Sequence, residues 1–363
     1  MAQSWFADPE LLTTNFSVSY VCNNLSKAGD TVVYAHVDDV IVVNVAQTPC
    51  VASKLPIAEK SFIHQVRLCV LQESVFIAVA SDNGVQIFDG KGEQSLYELA
   101  LKDTLDAPEE GSNAVSHSSF PHRSLSVLPG VAVFCRGIAV INSSQPSIIV
   151  ASHQCAQVLR GCTHLYSYRT GTSLGKLLVL GKEKSSKATS PHEFDLLETL
   201  SEHKESISCI ESSRDGALVA SSDDSGLVLV HNPDDNFEVL HRLESSEPVT
   251  SMRFALEHWL VCGCLTGGMR IYKKDSFQLH AEVAAHTRAI TAIDVFENHV
   301  VSVGEDTFLN VWELASSKAS GRVRLVSSHC VPNDLLAGVA FAGAKSILTA
   351  TYDTSHLKLW VPE

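Results

Sequence analysis

Four residues of one segment carry groups that could act together chemically. His286 precedes a run of alternating apolar residues, Ser302 ends a second run, Asp306 lies in the following turn, and Trp312 closes a third run. A histidine, a serine and an aspartate could form a hydrolase triad, in which the imidazole activates the hydroxyl. They could also form a buried network that rigidifies a turn, because buried polar groups must be hydrogen-bonded. The spacing within one repeating unit favours the network, and no exposed nucleophile–base pair is implied.

Two other motifs could carry chemistry. The segment Gly171-Thr172-Ser173-Leu174-Gly175 matches the G-x-S-x-G nucleophile elbow, but the residues after it are strand-like where that motif needs a helix. Cys262 and Cys264 share one face of a predicted strand, yet no second cysteine or histidine pair lies at metal-ligand spacing. We therefore expect a turn at Ser173 and core cysteines at 262 and 264. The sequence predicts no catalytic residue, no metal and no cofactor.

Composition excludes several classes of protein. The chain has 363 residues, with 27 Lys and Arg against 41 Asp and Glu, and a formal net charge of −14. So acidic a chain repels phosphate backbones, and its one basic cluster, between 176 and 187, lacks interleaved aromatic residues. No secretory signal opens the chain, and no apolar run approaches the ~18 residues of a membrane helix. We expect a cytoplasmic protein with reduced cysteines that neither binds nucleic acid nor inserts into a membrane.

Short apolar runs recur with a fixed period. The clearest unit spans 286–314 and contains three predicted strands, 289–295, 299–303 and 308–312. Similar units occupy 197–231, 241–272 and 324–360. When they are aligned on the residue that closes the third strand, the closing residues lie 41, 40 and 48 apart, at His231, Tyr272, Trp312 and Trp360. A period of about 40–45 residues with three or four strands is typical of β-propeller blades.

Upstream, weaker units place Asn44 and Phe88 at the closing position. The 143 residues between Phe88 and His231 leave room for one more blade with large insertions, with strands at 134–142, 147–152 and 174–180. The sequence therefore predicts an all-β chain, a single domain over 1–363, with seven blades and insertions near 92–129 and 153–170. The last blade lacks residues for an outermost strand, so we expect an N-terminal strand around 11–16 to close the ring and cover its open edge.

The set His286, Ser302, Asp306 and Trp312 resembles the structural tetrad of the WD-repeat family. The resemblance implies that the aspartate accepts a hydrogen bond from the histidine, which meets the serine, which in turn bonds the indole. Six further segments, found in order from residue 22 to 308, resemble one branch of that family: 22–26, 83–87, 136–139, 223–227, 286–290 and 304–308. This likeness implies a propeller that acts through protein contacts, without a known enzymatic activity, and that belongs to a larger ciliary complex.

Three functions remain open at this stage. The first is a non-catalytic scaffold or adaptor that binds protein partners through one propeller face, where connecting loops converge. The second is a permanent architectural subunit of a ciliary, axonemal or transport assembly, and the third is an enzyme with a site in the central channel. Residues just after each blade's histidine position are the candidate partner contacts. They are Arg288, Lys204, Glu205 and Glu247, and Arg288 is favoured because arginine is enriched in binding hot spots.

Overall fold

The fold is known from a computed structural model that describes residues 6–100, 132–143, 146–155, 173–181, 194–315 and 322–362. These residues form strands joined by short turns, as the alternating Val, Ile and Leu runs predict. The strands make up seven four-stranded antiparallel sheets. Among the described residues, no helix is long and apolar enough to cross a membrane.

Each sheet is one blade, and its strands follow one another in the chain. Blade 1 consists of β2 (Ser26–Ala28), β3 (Thr31–His36), β4 (Asp39–Asn44) and β5 (Val51–Lys54). Blade 2 consists of β6 (Ile63–Leu71), β7 (Ser74–Ser81), β8 (Gly84–Asp89) and β9 (Ser95–Ala100). Blade 3 consists of β10 (Ala132–Ile141), β11 (Ser147–Cys155), β12 (Ser173–Gly181) and β13 (Asp195–Leu200). Blades 4 and 5 are β14 (Ile207–Ser212), β15 (Val219–Asp223), β16 (Leu227–Asn232) and β17 (Glu238–Glu244); and β18 (Val249–Ala255), β19 (Trp259–Cys264), β20 (Gly268–Lys273) and β21 (Leu279–Ala284). Blade 6 is β22 (Ile290–Phe296), β23 (His299–Gly304), β24 (Phe308–Leu314) and β25 (Val323–Cys330), and blade 7 is β26 (Leu336–Phe341), β27 (Ile347–Thr351), β28 (His356–Trp360) and β1 (Glu10–Thr13).

The blades form a closed ring. The first strand of each blade contacts the first strand of the next, in the cycle β2, β6, β10, β14, β18, β22, β26 and back to β2. Hydrophobic clusters fill the space between neighbouring blades, so the core consists of packed blade interfaces. The predicted seven-bladed propeller is confirmed.

The N-terminal strand closes the ring. β1 pairs antiparallel with β28, with Glu10 opposite Leu359 and Thr13 opposite His356. Phe6 adds a bridge to Pro362, and its ring packs edge-on against Trp360 at 6.2 Å between centroids. Both ends of the described chain thus meet in blade 7, which confirms the predicted closure.

A β-bulge interrupts the first strand in six blades, near its start in five of them and in its middle in blade 3. The register shifts between Ile290 and Ala292 in blade 6, and a shift also occurs in blades 2, 3, 4, 5 and 7. Because a bulge re-aims the side chains around it, the repeat sets which residues face the channel. It also provides a common reference for aligning the first strands of different blades.

The structure corrects three details of the sequence prediction. β9 occupies 95–100, where the first insertion was expected, and β11 extends to Cys155 inside the second; the remainder of both insertions lies outside the described residues. In blade 1, Val43 stands opposite Val32 and is fully buried, whereas the predicted closing residue Asn44 is exposed. Blade 3 has its strands close to the predicted positions, with β13 added as the fourth.

Candidate functional site

In blade 6 the four predicted residues form one chain of hydrogen bonds. His286 Nδ1 lies 2.8 Å from Asp306 Oδ1, and His286 Nε2 lies 2.8 Å from Ser302 Oγ. The Trp312 indole N–H donates to Ser302 Oγ at 3.0 Å. Asp306 Oδ2 also accepts the Thr287 backbone N–H at 2.9 Å, which ties the loop before β22 to the turn after β23. Since each polar group finds a partner, the set stabilises the turn and has no free nucleophile.

Blade 4 contains a second such network. His203 Nδ1 lies 2.8 Å from Asp223 Oδ2, and its Nε2 lies 2.7 Å from Ser221 Oγ. His231 occupies the place of the tryptophan, 3.2 Å from Ser221 Oγ, and burial lowers its pKa. The sequence analysis placed His231 at the closing position of this blade but did not identify Ser221, although the spacing from Ser221 to His231 equals that from Ser302 to Trp312.

The aspartates of both networks are held ionised. Hydrogen bonds from His286 and from the Thr287 backbone keep the pKa of Asp306 below its ordinary value, against desolvation, which raises it. Bonds from His203 and Ser225 lower the pKa of Asp223 in the same way, again against desolvation. An ionised acceptor makes each network stronger than a neutral one would be.

The other blades keep only parts of the set. In blade 7 the Trp360 indole donates to Thr349 Oγ1 at 3.0 Å, while Asp353 is exposed in the turn and takes no part. In blade 5, Thr266 replaces the aspartate, and the carboxylate comes from Glu247 instead, which accepts the Thr266 N–H at 3.1 Å. Such degenerate blades retain the turn by other pairings.

These networks lie on one face of the ring, which we call the tetrad face. It consists of the loops that lead into each first strand and the turns between second and third strands. Five blades join loop and turn by one equivalent backbone hydrogen bond, which runs from the first turn residue to the loop: Asp82 to Phe62, Asp224 to Ser206, Leu265 to Pro248, Glu305 to Ala289, and Tyr352 to Leu335. In these five blades the face therefore consists of loops that are hydrogen-bonded to the neighbouring turns.

The candidate partner contacts all lie on the tetrad face. Arg288 has 65% of its side chain exposed and lies 3.5 Å from Glu305. Lys204 is exposed and Glu205 is half-buried. Glu247 differs, because its carboxylate already caps the turn of blade 5 and lies 3.7 Å from Arg270. Three of the four side chains are thus accessible to a partner.

At the mouth of the central channel, the segment before β2 reaches across the ring. Asn23 donates its backbone N–H to Thr291 O at 2.9 Å and its amide to Thr250 O at 3.0 Å, and it accepts from Ser251 at 2.7 Å. Asn24 donates its backbone N–H to Ala337 O. One short segment thereby links blade 1 to blades 5, 6 and 7.

Deeper in the channel, four blades place a charged residue at the same position of the first strand. Arg67 in blade 2 pairs with Glu211 in blade 4 at 2.9 Å, Arg253 in blade 5 donates to Glu211 at 2.9 Å, and Arg253 lies 3.5 Å from Asp294 in blade 6. We call these four residues the channel ion chain. Sequence reasoning missed it, although aligning the first strands on their bulge brings these charges into one column of otherwise apolar segments.

The remaining candidate sites are structural. β12 begins at Ser173, so this residue starts a strand and does not lie in the predicted turn, and no helix follows it. Cys262 and Cys264 are fully buried in the blade 5 core, and burial raises the pKa of the Cys264 thiol to about 12. Within the described ranges no group of three or more His, Cys, Asp or Glu side chains is arranged to hold a metal ion.

Comparisons with known proteins agree with this architecture. Residues 22–360 match the model of the WDR54 family. The chain is 26% identical over 304 residues to human WD repeat-containing protein 54, covering 82% of this chain and 77% of that protein, and 27% identical over 307 residues to the mouse protein of the same name, covering 81% and 77%. A chain in a crystal structure of the Mitotic Checkpoint Complex shares the fold, with a TM-score of 0.67, 15% identity, and coverage of 100% of this chain and 97% of that one. The chain therefore belongs to the WDR54 family of WD-repeat propellers.

Proposed function

We propose that the protein is a non-catalytic interaction scaffold that binds protein partners through its tetrad face. The observation that carries the proposal is a set of large apolar side chains exposed in the turns of this face. Val37 in blade 1, Leu265 in blade 5 and Tyr352 in blade 7 are 59%, 46% and 44% exposed. Each is the first residue of its turn, so the rigid frame presents them at equivalent places.

The opposite face differs. In its turns Val361 is the one large hydrophobic side chain of the described residues that is exposed. Exposed apolar side chains on a rigid frame favour binding. A partner that covers them removes apolar surface from water, and the loops lose little conformational entropy because they are already ordered. The family supports the same function, since WD-repeat propellers are in general non-catalytic scaffolds.

An enzyme with a site in the channel is less well supported. Asn23 takes three hydrogen bonds at the mouth, and the channel ion chain lies below it. Glu211 is paired with two arginines and so is not available as a general base.

The test is affinity purification of cross-linked protein from native extract, with Arg288→Glu as the variant. Arg288 has no tetrad role and is exposed, so reversing its charge should remove a contact without unfolding the ring. Arg214→Glu is the matched control, because Arg214 is exposed in a turn of the opposite face. We expect a stoichiometric partner that is lost with Arg288→Glu and retained with Arg214→Glu. Loss in both variants, or in neither, would remove Arg288 from the interface.

A second candidate follows from the ciliary association that the sequence resemblance implies. In this second candidate function, the protein is a permanent subunit of a ciliary, axonemal or transport assembly and is located in the cytoplasm and the cilium. A permanent subunit should be poorly soluble when expressed alone, whereas an adaptor should purify as a monomer. Size-exclusion chromatography of the lone chain, with imaging of a tagged copy in ciliated cells, separates the two.

A further inference from the structure

One sector of the tetrad face is both apolar and acidic. Over the adjacent blades 7, 1 and 2, the side chains of Tyr352, Val37 and Phe62 are 44%, 59% and 46% exposed. Carboxylates lie beside them in the same turns and loops. We call this sector the acidic–apolar patch, and it consists of Tyr352, Asp353, Val37, Asp38, Glu59, Phe62 and Asp82.

Contacts hold the two halves of the patch in place. Tyr352 forms a bridge with Val18, and the hydroxyl of the next residue, Ser19, accepts the Val37 backbone N–H at 2.6 Å. On the blade 2 side, the Phe62 ring packs on His64 at 5.0 Å, and His64 lies 2.8 Å from Asp82. Lys60, next to Glu59, pairs with Asp39, next to Asp38, and so joins the two halves. The patch therefore belongs to one surface and not to independent loop tips.

Val37 is held outward at a conformational cost. Its φ is +55°, a left-handed backbone that a β-branched residue rarely adopts. Such a conformation persists only where the surroundings impose it. Val37 is the first residue of the two-residue turn between His36 and Asp39, where favoured hairpin turns need a positive φ. Gln72 and Glu297 have the same backbone at the first position of other two-residue turns, with φ of +55° and +51°. The hairpin therefore imposes this conformation and presents the apolar side chain of Val37 to solvent.

The charge of the patch selects the ligand. In the described loops and turns of the whole tetrad face there are eleven carboxylates against three basic residues, Lys60, Lys204 and Arg288. Lys60, the base next to the patch, is already paired with buried Asp39. A negative, apolar surface disfavours nucleic acid and anionic lipid, and it attracts cationic segments.

We propose that the acidic–apolar patch binds a short basic peptide segment in which lysine or arginine alternates with apolar anchors. The apolar anchors cover Tyr352, Val37 and Phe62, and the cations face Asp38, Asp82 and Asp353. The proposal depends on the scaffold function only in that its ligand is a protein segment. The patch does not include Arg288, the residue whose replacement tests the scaffold function.

The experiment selects random 12-residue displayed peptides on the immobilised full chain, then measures binding of the enriched synthetic peptides by fluorescence anisotropy. The variant is Asp38→Asn/Asp82→Asn/Asp353→Asn, which keeps shape and removes three charges. The control is Asp30→Asn/Glu73→Gln/Glu297→Gln, which removes three exposed charges from turns of the opposite face. We expect the enriched peptides to be rich in Lys or Arg together with apolar residues. Their binding affinity should fall by about tenfold or more for the patch variant and at higher salt, and the control should bind them as tightly as the wild type does.

Several outcomes would overturn the proposal. They are an enriched pool of neutral or acidic peptides, no enrichment above a blank support, or equal loss in the patch variant and its control. A chain that dimerises through Val37, so that Val37→Ser makes it monomeric, would assign the patch to a second copy. The scaffold function stands apart from these results, because its own readout is a native partner lost with Arg288→Glu.

Discussion

At the scale of single residues, the tetrads explain why a propeller tolerates a histidine, a serine and an aspartate together without catalysis. In blade 6 every donor has an acceptor within the blade, and His286 is buried. The spacing of these residues could be predicted from the sequence because it repeats. The role of Glu247 could not, since it replaces a missing aspartate from a different loop.

The lowered pKa of Asp306 gives a pH-dependent contribution to stability. The unfolded carboxyl binds a proton more readily than the folded one, so this stabilisation is complete above its ordinary pKa of 3.8 and is lost as the pH falls below it. Asp306→Asn should cost about 1–3 kcal/mol at pH 7, because it weakens the bonds to His286 and Thr287. The variant should also lose less of its remaining stability than the wild type between pH 7 and 3.

Thermal melts across that pH range measure both effects. Asp30→Asn, at an exposed turn of the opposite face, serves as the control and should follow the wild type. Parallel wild-type and Asp306→Asn curves would show that the ionised carboxylate contributes nothing to the tetrad.

At the scale of strands and blades, the inner three strands of most blades could be predicted, while the outermost could not. Inner strands are buried on both faces and read as continuous apolar runs, as in β16, where four of six residues are buried. The outermost strand β17 has no buried residue, so its sequence carries little apolar signal. For the same reason, the sequence analysis assigned the residues of β9 to an insertion.

Ring closure by β1 leads to a prediction at this scale. Deleting residues 1–18 removes β1, exposes the edge of β28, and removes the bridge from Val18 to Tyr352. We expect the melting temperature to fall by at least about 5 °C. Leu12→Asp should reproduce part of the loss, because Leu12 packs on the blade 7 and blade 1 core, whereas Leu11 is 56% exposed and Leu11→Asp is its control. An unchanged melting temperature after the deletion would refute closure by this strand.

At the scale of the whole molecule, contacts across the channel supplement contacts between neighbouring blades. Interblade clusters join each blade only to the next, as in other radial repeats. Asn23 and the Arg67–Glu211 pair of the channel ion chain instead join blades that are not adjacent in the ring. No single repeat contains these contacts, and so the blade pattern in the sequence predicts the ring but not what fills its centre.

The channel ion chain should therefore affect the stability of the whole ring. Glu211 has 7% of its side chain exposed and accepts from two arginines, so Glu211→Ala leaves Arg67 and Arg253 without that carboxylate. Removing one partner of a buried ion pair is strongly destabilising, and for arginines that are 19% exposed we expect a loss of about 2–4 kcal/mol in the free energy of unfolding. Urea unfolding measures the loss, and Glu73→Ala in an exposed turn is the control.

A double-mutant cycle of Arg67→Met and Glu211→Ala should give a coupling energy of about 1 kcal/mol or more between blades 2 and 4. Additive losses would mean that the ring gains no stability from the contact between blades 2 and 4 across its channel.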